Sequence, residues 1–410
     1  MKRKLIPLWV AAVLFAGCAK NDSETPNSPK LRHAGTATSL SANVSGTAAI
    51  NAGTVQQTVQ GFGGASILAW EADLTSTQRT EAFSTTNGIG LSILRVMVPS
   101  TGSGSFAAEK PTIDAAKSYG AKVVATAWNA PSSMMTGVHL NTGSYAAYAS
   151  YLSSYNSAVG GVYAISPFNE PNYSGSGWME ATATEVANFV AAQGTNCGAP
   201  IMAPEPFNMD QTFINTYLSN ATAKSNTSFV CGHIYGVTPY NLGSISKSVW
   251  MTEHYTNSSV SGDDWNNAMT AGKEINDCMN AGWAAYVWWY IRRSYGPIDE
   301  SSNITKLGYV MAQYARYIRP GYSKISCTYN PSTGVYVTAY KSGTKLVVVI
   351  VNQNNATTYQ PFTYSGITVT GFNRYATTST ANLAANSITV SGGSFAINLL
   401  PSSVTTLVSL

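Results

Sequence analysis

The sequence predicts an α/β fold: a (β/α)8 TIM barrel with an attached antiparallel β-sandwich built from both chain ends. Three observations carry that expectation. Between residues 59 and 320, short apolar runs alternate eight times with longer helical stretches, the pattern of parallel strands joined by crossover helices. Over residues 321–410 the apolar runs crowd together with only turns between them, as in a sandwich. Residues 38–58 (TSLSANVSGTAAINAGTVQQT) read as further strands ahead of the barrel, so they belong with the C-terminal ones.

The elements follow in order. Residues 1–18 (MKRKLIPLWVAAVLFAGC) pair a basic start with an apolar run that ends in small residues. The run is too short to span a bilayer and has signal-peptide form. Ala16-Gly17-Cys18 resembles a bacterial lipobox, which would lipidate Cys18 and anchor the protein on the extracytoplasmic side of a membrane. Phe15 stands where Leu is commoner, so ordinary cleavage and free secretion stay open. Residues 19–37, with Pro26, Pro29 and several Ser and Asn, form a linker suited to such a tether.

The barrel strands are expected at Val59–Ala65, Leu91–Val98, Lys122–Trp128, Val162–Asn169, Pro200–Pro204, Phe229–Tyr235, Ser248–His254 and Ala284–Ile291. They are Val-, Ile- or aromatic-rich runs, as strands buried on both faces require. Ala183–Gln193, Asp210–Leu218 and Asp264–Ala281 read as helices. Beyond residue 321, strands are expected at Val335–Tyr340, Lys345–Asn352, Thr358–Tyr364, Ile367–Tyr375, Ser387–Val390, Phe395–Leu399 and Val404–Val408, with a hairpin turn at Lys341–Thr344.

Composition narrows the function. Charged residues are 10% of the chain, against ~25% in an average soluble protein. The formal charge of +4 falls to +1 without Lys2, Arg3 and Lys4 of the leader, so no basic stripe remains for nucleic acid. With 9 Trp and 24 Tyr, the chain suits a neutral, hydroxyl-rich partner such as a polysaccharide. Cys197, Cys231, Cys278 and Cys327 form no C-x-x-C pair, which argues against zinc. A disulfide among them is left open. No cofactor, metal or second subunit is expected.

Active residues of such a barrel sit at the C-terminal ends of its strands. Among 19 acidic residues, Glu170, Glu205 and Glu253 stand there, after strands four, five and seven. Glu170 and Glu253 open onto one mouth, and a carboxylate pair is what glycoside hydrolysis requires. Glu205 reads as a supporting residue. Asn169 can donate to a sugar hydroxyl. Trp70, Trp128, Trp289, Tyr235 and Tyr255 fall around the same rim, where flat rings stack on pyranose faces. Arg95, within an apolar run, needs a buried carboxylate, for which Glu253 is the candidate. His233 and His254 read as supports of the site.

These residues resemble glycoside hydrolase family 30, in particular the bacterial glucuronoxylanases of its subfamily 8. The carriers are Gln60–Gly64 (QGFGG), Ser92–Arg95 (SILR), Trp128–Pro131 (WNAP), Asn169–Pro171 (NEP), His233–Gly236 (HIYG), Trp250–Glu253 (WMTE) and Tyr286–Gly296 (YVWWYIRRSYG). The resemblance implies retention of configuration, with Glu170 as acid/base and Glu253 as nucleophile. It also implies a clamp for a glucuronic acid branch on xylan, made by Arg293, Tyr295, Tyr255, Trp289 and Ser258, or Ser259 if the loop register differs by one. An uncharged xylan backbone gives no reason for an arginine in the cleft, whereas a branch carboxylate does. One of Arg292 and Arg293 is expected to pair with an acid such as Asp299 or Glu300. The loop Asn172–Met179 is short and Gly-rich with only Trp178, a departure that implies looser binding on the leaving-group side. Family relatives for β-1,6-glucan, galactan, unbranched xylan or glucosylceramide, and a non-catalytic glycan-binding lipoprotein, are the competing readings.

Overall fold

The computed structural model of the protein describes residues 46–410. Residues 1–45, which hold the expected leader, Cys18 and the expected linker, lie outside the described residues.

Eight parallel strands close into a barrel in chain order. They are Gly61–Ala65, Ile93–Met97, Lys122–Thr126, Ala164–Ser166, Ile201–Pro204, Thr227–His233, Val249–Glu253 and Ala285–Tyr290. Each lies within the predicted run or within two residues of it. Crossover helices such as Ala183–Gln193, Gln211–Ser219 and Trp265–Asn280 surround them. The helix starts are written locally. Thr182 and Glu185 form a capping box, and Asp264 accepts from the Asn267 N–H.

Strand residues two apart share a face, and here that rule divides the barrel into two levels. Ile93, Val124, Ala164, Met202, Phe229 and Trp250 fill the interior near the strand starts as one apolar cluster. Two residues beyond the first three stand Arg95, Thr126 and Ser166, all buried. The lower barrel is thus a hydrophobic plug, and the upper barrel is a polar floor open at the C-terminal rim.

The chain ends build one nine-stranded sheet. Its N-terminal member, Ala48–Thr58, lies between Ser323–Cys327, antiparallel, and Thr358–Ser365, parallel. The far strands of the sheet meet. Phe372 and Phe395, near opposite ends of the strand order, stand 5.0 Å apart, and Arg374 donates to the Asn398 carbonyl at 2.9 Å. The sheet therefore doubles over on one apolar core that includes Ile50, Val337, Ile350, Phe372 and Leu399. Its other face, with Tyr340, Val347, Val349 and Val404, joins the barrel's core cluster. The strand Ser323–Cys327 is absent from the sequence prediction. Only Lys324 and Ile325 of its five residues are buried, and a Ser-Lys-Ile-Ser-Cys run carries too little apolar alternation to announce a strand.

Among the described residues, Cys197, Cys231, Cys278 and Cys327 are free thiols, which closes the disulfide question left open above. Cys231 is fully buried.

Candidate active site

Glu170 and Glu253 face one another at the barrel mouth. One carboxylate oxygen of each and a ring nitrogen of His233 all lie within 4.8 Å of one another. Glu170 follows the fourth strand and Glu253 ends the seventh. The arc between them is filled by the ends of strands five and six, which bring in Glu205 and His233. Glu170 and Glu205 both hold left-handed backbone, at φ 44° and φ 57°. Such conformations cost of order 1–3 kcal/mol and concentrate at functional sites. The Glu170 N–H donates to the Glu205 carbonyl at 3.0 Å, which binds the two turns together.

Arg95 organises the floor. Its guanidinium is fully buried and donates to Glu253 Oε2 at 2.7 Å, Asn169 Oδ1 at 2.7 Å and Glu205 Oε1 at 3.1 Å. The carboxylate expected for this arginine is therefore present. The Trp128 ring lies 4.5 Å from the guanidinium carbon. Tyr235 donates its hydroxyl to Glu253 Oε1 at 2.7 Å, so each oxygen of Glu253 accepts a hydrogen bond, one from Arg95 and one from Tyr235. Burial, then the neighbouring Glu253 and Glu170, push the Tyr235 phenol well up, which keeps it a donor.

His233 ties the set together. Its Nδ1 contacts Glu170 Oε1 at 2.8 Å and its Nε2 contacts Glu205 Oε1 at 3.3 Å. Burial alone would lower this imidazole, but Glu253, Glu170 and Glu205 together raise it to about 9. It is thus an imidazolium at neutral pH and donates from both nitrogens. Glu205 is fully buried. Burial would raise its carboxyl, yet Arg95 and His233 outweigh that and hold it down at about 2. Glu205 thus bridges Arg95 and His233. Glu170, His233 and Glu253 have the spread of a metal-ligand set, but the Arg95 guanidinium and the imidazolium already supply positive charge there. His254 turns away from the carboxylate pair to Glu274, 2.8 Å from its Nδ1.

The rim aromatics differ in what they offer. Trp70 is 36% exposed and packs at 5.4 to 6.0 Å on Trp128, Trp178 and Trp289. Trp128 is only 3% exposed. It lies over the Arg95 guanidinium and against Trp70 and Trp289. Its burial follows from the guanidinium beneath it and the tryptophans above.

Beyond Glu253 runs a line of phenols. Tyr235 and Tyr255 stand 5.4 Å apart, and Tyr255 and Tyr295 5.5 Å apart. Tyr295 lies within electrostatic reach of Arg293, whose guanidinium also lies 4.9 Å over the Tyr290 ring. Arg293 keeps 38% of its side chain exposed. Ser258 and Ser259 are exposed on the loop after strand seven. The structure gives Ser258 no bond to the other clamp residues, and the Ser259 N–H is taken by Asn257. The partner expected for the arginine pair also differs. Glu300 accepts from the Ser294 N–H, and Asp299 from the Ser301 and Asn303 N–H groups. Both arginines instead meet Glu71, Arg293 through Nη1 and Arg292 through Nη2 at 3.3 Å. Sequence reasoning missed Glu71, although it follows the first strand at the same rim that singled out the other glutamates.

No family model matches the chain. Two curated relatives, both named glucuronoxylanase XynC and both from Bacillus subtilis, are 37% and 36% identical over 385 and 386 residues. They align with 88% of this chain and with 90% and 91% of their own lengths. Among solved structures, a GH30 endoxylanase from Clostridium papyrosolvens C71 matches with a TM-score of 0.82 at 31% identity, covering 88% of this chain and 99% of its own. A glycoside hydrolase family 30 subfamily 8 xylanase, Xyn30A from Clostridium acetobutylicum, matches with a TM-score of 0.81 at 31% identity, covering 89% of this chain and 100% of its own.

Proposed function

The chain belongs to glycoside hydrolase family 30, subfamily 8, and on that premise we propose that it is a retaining endo-β-1,4-glucuronoxylan hydrolase that cleaves where a glucuronic acid branch directs it. The observation that carries the mechanism is the carboxylate pair, an oxygen of each lying within 4.8 Å of one of the other. Inverting enzymes leave a gap of ~6.5–9.5 Å for a water, whereas retaining ones hold their carboxyls ~5–5.5 Å apart.

In this reading Glu253, held by Arg95 and Tyr235, attacks the anomeric carbon while Glu170 protonates the departing oxygen. Water then displaces Glu253 from the sugar, with Glu170 taking its proton. Arg95 takes the Asn169 carbonyl oxygen, which leaves the Asn169 NH2 to donate to a sugar hydroxyl. Arg293, with Tyr295, Tyr255 and Trp289, binds the branch carboxylate, and that remote contact positions the backbone for attack.

Product analysis on glucuronoxylan beside unbranched xylan tests the substrate. The expected result is strong preference for the branched polymer and products of the same anomeric configuration as the substrate. Equal cleavage of both polymers, or inversion, overturns the reading. Arg293→Ala should lower kcat/KM on glucuronoxylan by roughly 10- to 150-fold, since a hydrogen bond to a charged group is worth about 1.5–3 kcal/mol. Lys at this position should rescue only in part, because it lacks the planar fork.

The signal sequence and Cys18 support an extracytoplasmic enzyme tethered to a membrane by lipid. Labelling with a radioactive fatty acid tests the tether. Label in the wild type that is lost in Cys18→Ala is the expected outcome, and unlabelled, freely secreted wild type defeats it.

A further inference from the structure

Glu71 and the two arginines come from opposite ends of the barrel sequence. Glu71 lies in the turn after the first strand, with its N–H bonded to the Ile67 carbonyl. Arg292 and Arg293 follow the eighth strand, which pairs with the first and closes the barrel. The Glu71 side chain is only 8% exposed and lies between the two guanidiniums, with Arg293 on Oε1 and Arg292 on Oε2. Arg292 also donates to the Ala72 carbonyl at 3.0 Å. A carboxylate removed from water this far needs both cations. Burial, set against Arg293 and Arg292, leaves its carboxyl raised. The other acid within electrostatic reach, Glu300, is exposed and turned to the Ser294 N–H.

We propose that Glu71 is a positioning residue for branch recognition, fixing the Arg293 guanidinium so that its remaining donors face the uronic acid carboxylate. The inference rests on the reading of Arg293 given above. Arg293 is flanked on three sides, by Glu71, by Tyr295 and by the Tyr290 ring. A guanidinium offers five donors in a planar fork, so engaging Nη1 on Glu71 leaves a second edge for substrate. Without Glu71, two like charges share a half-buried site with nothing between them, and Arg293 would turn toward solvent. The branch would then be held loosely and the backbone misplaced. Trp70, the preceding residue, packs on Trp289 at 6.0 Å, so the same turn sets one wall of the cleft and the angle of the clamp.

The test uses the full-length enzyme and the ratio of kcat/KM on glucuronoxylan to that on unbranched xylan. Glu71→Ala should lower this ratio by about 10- to 100-fold, the scale of a misplaced substrate, chiefly through KM. Glu71→Asp should recover part of it. The double variant Glu71→Ala/Arg293→Ala should show no lower ratio than Arg293→Ala alone, because the two residues act as one unit. If Glu71→Ala does not fold, the isosteric Glu71→Gln gives the same reading. A ratio that is unchanged overturns the proposal, and so does a ratio that rises, which would make Glu71 a competitor of the branch. A wild type with no preference for the branched polymer overturns the branch reading itself. A wild type with that preference, sensitive to Arg293→Ala and indifferent to Glu71→Ala, overturns this inference alone.

Discussion

Glu109 illustrates how much one buried carboxyl costs. It is 7% exposed, and burial pushes its carboxyl up to about 8 despite hydrogen bonds to Ser66 and the Leu68 backbone. One of its oxygens has no partner. The folded protein therefore keeps Glu109 protonated between about pH 4.5 and 8, while the unfolded chain ionises. Folding binds the extra proton, so stability falls as pH rises across that window and levels off above it. Glu109→Gln removes the difference. The variant should match the wild type near pH 4.5 and exceed it at pH 8.5 by a few kcal/mol, at ~1.4 kcal/mol per unit; urea midpoints at the two pH values check this. His233 works in the same direction for the opposite reason. Its pKa is raised by carboxylate partners, so its contribution is complete below about 6.5 and disappears as pH passes about 9. The stability gap between wild type and His233→Ala should therefore shrink between pH 6 and pH 9.5, and a constant gap would mean that the ring is neutral in the folded state.

The first barrel strand, Gly61–Ala65, has glycine at three of its five positions because its neighbours leave little room. A Cβ at Gly63 would overlap the Ile93 carbonyl oxygen of strand two. That atom is backbone and cannot swing aside. Gly63→Ala should cost about 1–3 kcal/mol or more by overpacking, read as a lower urea midpoint, and activity should fall with it because Arg95 lies on the displaced strand. The strands themselves were legible as apolar runs, and so were the helices behind Thr182, Asp210 and Asp264, whose caps are local in sequence. Ser323–Cys327 was not legible, since its place in the sheet depends on the partners it finds on either side. Lys324 is buried there because its amine reaches Gln56 at 2.6 Å.

At the scale of the molecule, barrel and sheet share one core. Thr406 donates to the Gln313 carbonyl, Gln313 donates to Thr377, and Trp265 donates to Ser402, all at 2.7 to 2.8 Å. The helices Trp265–Asn280 and Lys306–Ala315 rest on the sheet's outer face. Strand Ala48–Thr58 has both of its neighbours in the C-terminal segment. Deleting residues 321–410 would leave that strand with two open edges and bare the apolar faces of both helices. The truncated protein should be insoluble on expression. A soluble, active barrel would show instead that the two parts fold independently.

By itself the sequence determined what depends on neighbours along the chain. Those features are the period of the strands and helices, the caps, and the placing of Glu170, Glu205 and Glu253 at strand ends of one rim. Tertiary structure decided what depends on distance across the chain. Arg292 meets Glu71 from 221 residues away, although Asp299 and Glu300 are nearer in sequence, because barrel closure brings the first and last strands side by side. Trp128 met the Arg95 guanidinium only through the fold, 4.5 Å from its ring. His233 gained its charge only when three carboxylates from separate strands converged on it. Periodicity and propensity act over a few residues, whereas Coulomb and desolvation energies depend on which groups the closed barrel brings within a few ångströms.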